Sequence, residues 1–314
     1  MTRFLVVGES IVDVIVSPSA GDGSADRELP GGSPANVAVG LSRLGHDVSL
    51  WTHFGDDPGG DLLRAHLTGA GVDLLSPVTG TTSRAVAELQ PDGSARYDFA
   101  VTWPSGITPT ITADHLHTGS IAALMSPGAA DVEHLLRTRG PDTTASYDPN
   151  IRPALVGDCL APVEQLVALG DVVKASDEDL AHLYPGVPAL DVARRWLTLG
   201  PSLVAVTLGA YGAFAVAADA HVIVPPVPVT VVDTVGAGDA FMSGLLDALW
   251  QRGLLGPGAR PRLKAVTAAD LHDVVSRAAL VAGLTVARAG AAPPTRKELW
   301  LEHSIPGSKP TADA

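Results

Sequence analysis

Short apolar runs alternate with helix-period segments along most of this chain, and no other feature restricts its fold as much. Strand, helix and strand in succession build a parallel sheet, and the helices must then cover both of its faces. Phe4-Leu5-Val6-Val7-Gly8 is a short apolar run of the doubly buried kind. Ser33 caps a helix, with Pro34 at its first position and Val37, Leu41 and Leu44 following before Gly45 stops it. Val48-Ser49-Leu50-Trp51 is the next strand, followed by a helix through Leu62, Leu63 and Leu67. Further on, His117 to Leu124 reads as a strand and residues 129 to 137 as a helix. Thr144 to Tyr147 and Val172 to Ala175 read as strands that end in polar clusters, the first containing Asp148, Asn150 and Arg152. Val204 to Phe214 is a strand, a glycine turn and a strand, continued by Val222 to Val224. Residues 252 to 270 read as a loose surface connection, and Leu271 to about Ala287 as the last long helix.

One segment breaks the rhythm. Arg84 to Leu89 and Ala95 to Ala100 alternate apolar and polar positions, with Pro91-Asp92-Gly93-Ser94 as the turn between them. With residues 11 to 16 and 27 to 30, this hairpin can form a small separate sheet over the glycine pair Gly31-Gly32; the alternative is an edge hairpin of the main sheet. Asp13 interrupts the apolar run Ile11 to Val16. It is either a strand-edge acid turned to solvent or a carboxylate that accepts hydrogen bonds from sugar hydroxyls. Asn36 stands on the first turn of its helix, where an amide is suited to reading a ligand hydroxyl.

Residues 233 to 241, Asp-Thr-Val-Gly-Ala-Gly-Asp-Ala-Phe, carry the strongest chemical signal. The β-branched run Val227 to Val232 predicts a buried strand before them, and Leu245, Leu246 and Leu249 predict a helix after them. Gly236 and Gly238 therefore sit at a turn into a helix, where the first N–H groups have no partner inside the helix and can bind an anion. Asp239 lies on that same turn. A carboxylate there repels an anion unless it accepts a proton from the group attacking a phosphate. The plainer alternative is a first-turn acid favoured by the helix dipole.

Other chemistries are excluded by what the chain lacks. Its 314 residues carry a net charge of −13, which argues against nucleic-acid or anionic-membrane partners but not against a nucleotide in a local site. Cys159 is the one cysteine, so an internal disulfide and a cysteine metal cluster are both impossible. There is no G-x-x-x-x-G-K-[ST], no G-x-G-x-x-G after the first strand and no G-x-S-x-G, and the ten histidines show no metal-ligand spacing. Gly8-Glu9-Ser10 interrupts the apolar N-terminus too early for a signal or a membrane span, which predicts a cytoplasmic protein. Residues 304 to 314 are expected to form a frayed tail beyond a single domain over 1 to 303.

Taken together, five ordered stretches resemble the ribokinase-like (PfkB) carbohydrate kinase family. Residues 233 to 241 are similar to its C-terminal signature, and Gly31-Gly-Ser-Pro-Ala-Asn-Val-Ala38 to its N-terminal one. Tyr147 to Pro153, Lys174 to Asp179 and Thr207 to Gly212 resemble further family blocks, in the family's order, within a likeness covering residues 4 to 295. The resemblance implies a three-layer α/β/α domain with a mainly parallel sheet and a small β-sheet lid formed by residues 11–31 and 82–103. It implies transfer of the ATP γ-phosphate to a sugar hydroxyl, with fructose the expected acceptor. Ribokinase, 2-keto-3-deoxygluconate kinase and nucleoside kinase activities, and a non-catalytic sensor, stand as alternatives. Arginines in the lid would favour a phosphorylated or acidic acceptor, and Arg84 and Arg96 are there.

Residue by residue, the resemblance makes Asp239 the catalytic base and the Gly236, Ala237 and Gly238 N–H groups the anion hole. Asp13, Gly31, Gly32, Asn36 and Arg152 match the sugar side, and Lys174, Thr207, Gly209, Gly212 and Gly238 the nucleotide side. Asp233, Val235 and Gly290 match a monovalent-cation site, which implies K⁺. Ser176 and Asp179 stand where the family often has Asn-x-x-Glu, so Mg²⁺ is expected to be held there through water. A homodimer paired through the lid sheets is a further expectation.

Overall fold

The computed structural model describes residues 3–16, 27–75, 80–89, 95–106 and 112–303. The turn at Pro91 to Ser94 and the tail from residue 304 lie outside them. The chain begins with β1 (Arg3–Val7), β2 (Ile11–Val16), β3 (Arg27–Gly31), α1 (Ser33–Arg43), β4 (Asp47–Trp51), α2 (Pro58–Gly69) and β5 (Asp73–Leu74). The hairpin strands β6 (Arg84–Leu89) and β7 (Ala95–Ala100) precede β8 (His115–Gly119), α3 (Ala129–Thr138), β9 (Thr144–Asp148), α4 (Pro153–Val156) and α5 (Leu160–Leu169). Then come β10 (Val172–Ser176), α6 (Asp177–Leu183), α7 (Ala189–Leu197), β11 (Leu203–Thr207), β12 (Ala213–Ala217) and β13 (Ala220–Val224). Four helices follow: α8 (Ala237–Gln251), α9 (Arg260–Lys264), α10 (Ala268–Val286) and α11 (Arg296–His303).

Among the described residues, nine strands form the main sheet in the order β13-β12-β11-β10-β9-β8-β1-β4-β5. Every pairing from β11 to β5 is parallel, and β12 and β13 add an antiparallel edge. Alternate strand residues divide between two cores, as a sheet buried on both faces requires. Phe4, Val6, Val172 and Leu203 pack with α1, α8 and α10 on one side. Leu5, Val7, Val173 and Val204 pack with the residues of α3, α5 and α7 on the other. The strand order reverses at β1, which lies between β4 and β8, and ligands in open α/β sheets bind at the carboxyl ends of strands beside such a point.

The hairpin is not an edge of this sheet. β3-β2-β6-β7 form a separate four-stranded sheet, with β2 and β6 parallel and the other pairs antiparallel. Asp57 bolts it to the main body, accepting from Gly60 N at 2.9 Å as the cap of α2 and from Thr82 N and Oγ1 at 2.9 and 2.7 Å.

Four local expectations fail. Residues 225–236 contain no strand, and Val231 and Val232 are each 60 % exposed. Pro225, Pro226 and Pro228 supply no N–H for a ladder, so β-branched propensity has nothing to pair with. β8 ends at Gly119, and Ile121–Ala123 turn into a 3₁₀ helix because Ser120 N donates sideways to Asp148 O at 3.0 Å. The stretch from 252 to 270 contains α9 and buries Leu255, Ala259 and Leu263, so it is packed rather than loose. Gly32, not Ser33, is the N-cap of α1. Among the described residues, no helix is long and apolar enough to cross a membrane.

Candidate active site

α1 and α8 run side by side in the same direction. Contacts occur in order along them, Asn36 with Asp239 and Gly40 against Ser243, and His46, just past the end of α1, meets Asp247. The approach depends on a small residue, since a Cβ on Gly40 would collide with the Ser243 side chain; on another face of α8, a Cβ on Gly244 would press on Val281 of α10 at 2.9 Å. Two helix N-termini thus converge on Asp239, and both dipoles favour negative charge there.

Asp239 is buried, and its two oxygens are held separately. Ser33 Oγ donates to Oδ1 at 2.7 Å, and Asn36 Nδ2 donates to Oδ2 at 2.8 Å. Ser33 was legible only as a cap, because its partner stands more than 200 positions away. Gly236 takes the left-handed backbone at φ 73 that turns the chain into α8. Ala237 N donates to Thr234 O at 3.2 Å, so of the predicted anion-hole donors it alone has a backbone acceptor in the turn.

The sugar-side residues gather beside Asp239. Asp13 lies on β2 opposite Leu29, and Gly31 packs so closely that a Cβ there would collide with the Asp13 carboxylate. Gly32 has φ 103 and lies over the backbone of Glu9, with a Cβ position 2.5 Å from Glu9 O. Burial raises the Asp13 pKa to about 6, opposed by the nearby Arg152 charge and assisted by that of Asp239. Glu9, unremarked in the sequence, is fully buried at the end of β1. Its Oε2 accepts from Ala122 N at 2.9 Å, and burial raises its pKa to about 7. Arg152 is exposed and donates to Asn150 Oδ1 at 2.8 Å. Arg84 of the lid is ion-paired with Glu28, and the side chain of Arg96 lies outside the described residues.

The nucleotide-side residues line neighbouring strand ends. Ser176 and Thr207 are register partners at the carboxyl ends of β10 and β11. Gly209 opens a 3₁₀ turn, and Gly212, at φ 90, closes it where a Cβ would collide with Val224 O. Lys174 is buried and ion-paired with Asp148 at 3.0 Å. Its Nζ lies 3.0 Å from the position a Cβ on Gly238 would take, which brings β10 to the first turn of α8.

The ion sites differ in what they can hold. Asp179 Oδ2 accepts from Ser176 N and Oγ in a capping box, and Oδ1 accepts from Ile151 N at 2.8 Å. Both oxygens are already occupied by protein donors, which fits a hydrated Mg²⁺ held through water and not a direct ligand. Among the described residues, no group of three or more His, Cys, Asp or Glu could hold a metal. Asp233 accepts from Val235 N at 3.0 Å and Gly290 N at 2.9 Å, which draws all three residues of the expected K⁺ site together.

A family model for pfkB family carbohydrate kinases matches residues 1–298. A fructokinase of Rhizobium leguminosarum bv. trifolii is 35 % identical over 265 residues, covering 80 % of this chain and 81 % of its own. Among solved structures, fructokinase with bound ATP from Xylella fastidiosa superposes with a TM-score of 0.82 at 26 % identity, covering 96 % of this chain and 99 % of its own. A double mutant of the Vibrio cholerae O395 fructokinase, in fructose, ADP and potassium ion bound form, gives 0.77 at 29 % identity, with 96 % and 98 % covered.

Proposed function

The chain belongs to the pfkB family of carbohydrate kinases, and we propose that within it this protein phosphorylates a free sugar, fructose first, with ATP as donor. The observation that carries the reading is the Asp239 carboxylate, held by Ser33 and Asn36 at the N-terminal end of α8. An acceptor hydroxyl placed against it gives its proton to the carboxylate. The hydroxyl oxygen bonds to the γ-phosphorus, the bond from that phosphorus to the β–γ bridging oxygen breaks, and ADP leaves. The N–H groups of Gly236, Ala237 and Gly238 take up charge on the moving phosphoryl group, Ala237 sharing its hydrogen with Thr234 O.

Asp13, Gly31, Gly32, Asn36 and Arg152 bind the acceptor, and Lys174, Thr207, Gly209 and Gly212 bind the nucleotide. Mg²⁺ neutralises phosphate charge when bound, with Ser176 and Asp179 as its water-mediated holders. Asp233, Val235 and Gly290 would hold K⁺. Acids outnumber cations around the acceptor position: Asp13 and Asp239 against Arg152. That balance favours an uncharged sugar over a phosphorylated one. The exposed Arg152 guanidinium supports a second reading, an acidic sugar such as 2-keto-3-deoxygluconate.

A coupled ADP-release assay across fructose, ribose, 2-keto-3-deoxygluconate and nucleosides separates these readings. With the best acceptor, Asp239→Asn is expected to lower kcat by about 10²–10⁴-fold. Turnover close to the parent's would remove the base assignment.

A further inference from the structure

Lys174 stands in an unfavourable place. Its ammonium is fully buried, and it faces the positive end of α8, a dipole of its own sign. A site that holds a cation and a helix N-terminus together is stable only with an anion between or beside them. Asp148 is the anion beside, and it is itself 0 % exposed. Its Oδ2 accepts from Lys174 at 3.0 Å, whereas its Oδ1 is buried with no hydrogen-bond partner. Unpartnered buried carboxylate oxygens are rare in folded chains and mark function or strain.

Strain is present around the same residue. Among the described residues, the two non-glycine residues with positive φ are Ser120, at 58°, and Asn150, at 37°. Ser120 N donates to Asp148 O, and Asn150 follows two positions after Asp148. Gly119 packs against the same carbonyl so closely that a Cβ would collide with it. Backbone strain of this kind persists where the surroundings over-determine a functional geometry.

We infer that Asp148 is a positioning residue for phosphoryl transfer: it fixes the Lys174 ammonium over Gly238, where that ammonium donates to the phosphoryl group in transit. One of the three Lys174 donors serves Asp148, and two are left for phosphoryl oxygens. Neither side chain forms or breaks a covalent bond. The inference rests on the kinase reading above and moves Lys174 from nucleotide binding to the transfer step. A donor fixed in advance where charge develops acts on kcat more than on KM.

The test is a double-mutant cycle of Asp148→Asn and Lys174→Met in the ADP-release assay, with calorimetric binding of a non-hydrolysable ATP analogue and a thermal melt of each variant. Lys174→Met is expected to lower kcat by about 10²–10³-fold and Asp148→Asn by about 10–10²-fold. KM for both substrates and analogue affinity should stay within about threefold. The double variant should be no slower than Lys174→Met, because Asp148 acts through Lys174. Lys174→Met strands a buried carboxylate and can unfold the chain; the neutral double variant and Asp148→Asn, which keeps an oxygen for Lys174, stay readable. Losses that multiply in the double variant, losses confined to KM for ATP, or a well-folded Asp148→Asn with full kcat would each overturn the inference alone. A parent without turnover on any sugar would overturn the kinase reading and the inference together.

Discussion

Asp239 is buried and Asp13 half-buried, and their surroundings differ. Asp239 receives two hydrogen bonds and lies at two helix N-termini. Asp13 is raised to about 6, chiefly by burial. A carboxylate that must be ionised to accept sugar hydroxyls loses that form as pH falls through about 6. The value of kcat/KM for the sugar should then fall about tenfold per pH unit below that point. Asp13→Asn should remove this acid limb while lowering kcat/KM at pH 8. The same shift has a stability consequence of opposite sign. The folded state holds the proton between about pH 4 and 6 while the unfolded state has lost it, so stability declines as pH rises through that window. At pH 8, Asp13→Asn is therefore expected to be more stable than the parent, by at most about 3 kcal/mol at ~1.36 kcal/mol per pH unit. Urea unfolding at pH 4 and pH 8 checks the sign, and equal differences at both would refute it.

At the scale of elements, the close pair α1 and α8 makes the site. A helix cap and a catalytic contact look alike in sequence, since both are hydroxyl residues before a helical run. Ser33 shows the difference: Gly32 is the cap, and the Ser33 hydroxyl serves Asp239. Thr267, by contrast, is a true cap of α10 and accepts from Asp270 N at 3.1 Å. Thr267→Ala should lower stability by about 1 kcal/mol with kcat unchanged. Ser33→Ala should lower kcat with a smaller effect on the melting temperature. Parallel measurements of melting temperature and turnover distinguish them, and a Ser33→Ala variant that loses stability but keeps kcat would return this residue to a structural role. The expected strand at 227–232 failed for a related reason. Its valines have strand propensity, but the prolines before them remove ladder donors, and the sheet already ends at β13.

At the scale of the molecule, the strand order reverses at β1, and the four-stranded sheet joins the main body through Asp57 and Thr82. Closure of that sheet over a bound sugar would exclude water from the transfer. Hydrogen exchange across residues 84–89 and 95–100 should slow when fructose and an ATP analogue are added together, and unchanged exchange would count against a lid. The alternation of apolar runs with helical segments determined the layered parallel sheet, because local periodicity decides which face of each element is buried. The interrupted stretch at 84–101 announced a hairpin for the same reason, and the tertiary structure decided between a separate sheet and an edge of the main one. The residues of the glycine-rich turn singled out Asp239 and left it either a base or a dipole-favoured acid, since an acid beside unpaired first-turn N–H groups is conspicuous without any neighbour. Only the tertiary structure decided what surrounds it. Ser33 reaches it from α1, Lys174 reaches Gly238 from β10, and Asp148 holds Lys174 from β9. Those contacts join residues far apart in the chain, and short-range patterning carries no information about which side chains a fold will bring within 3 Å of each other.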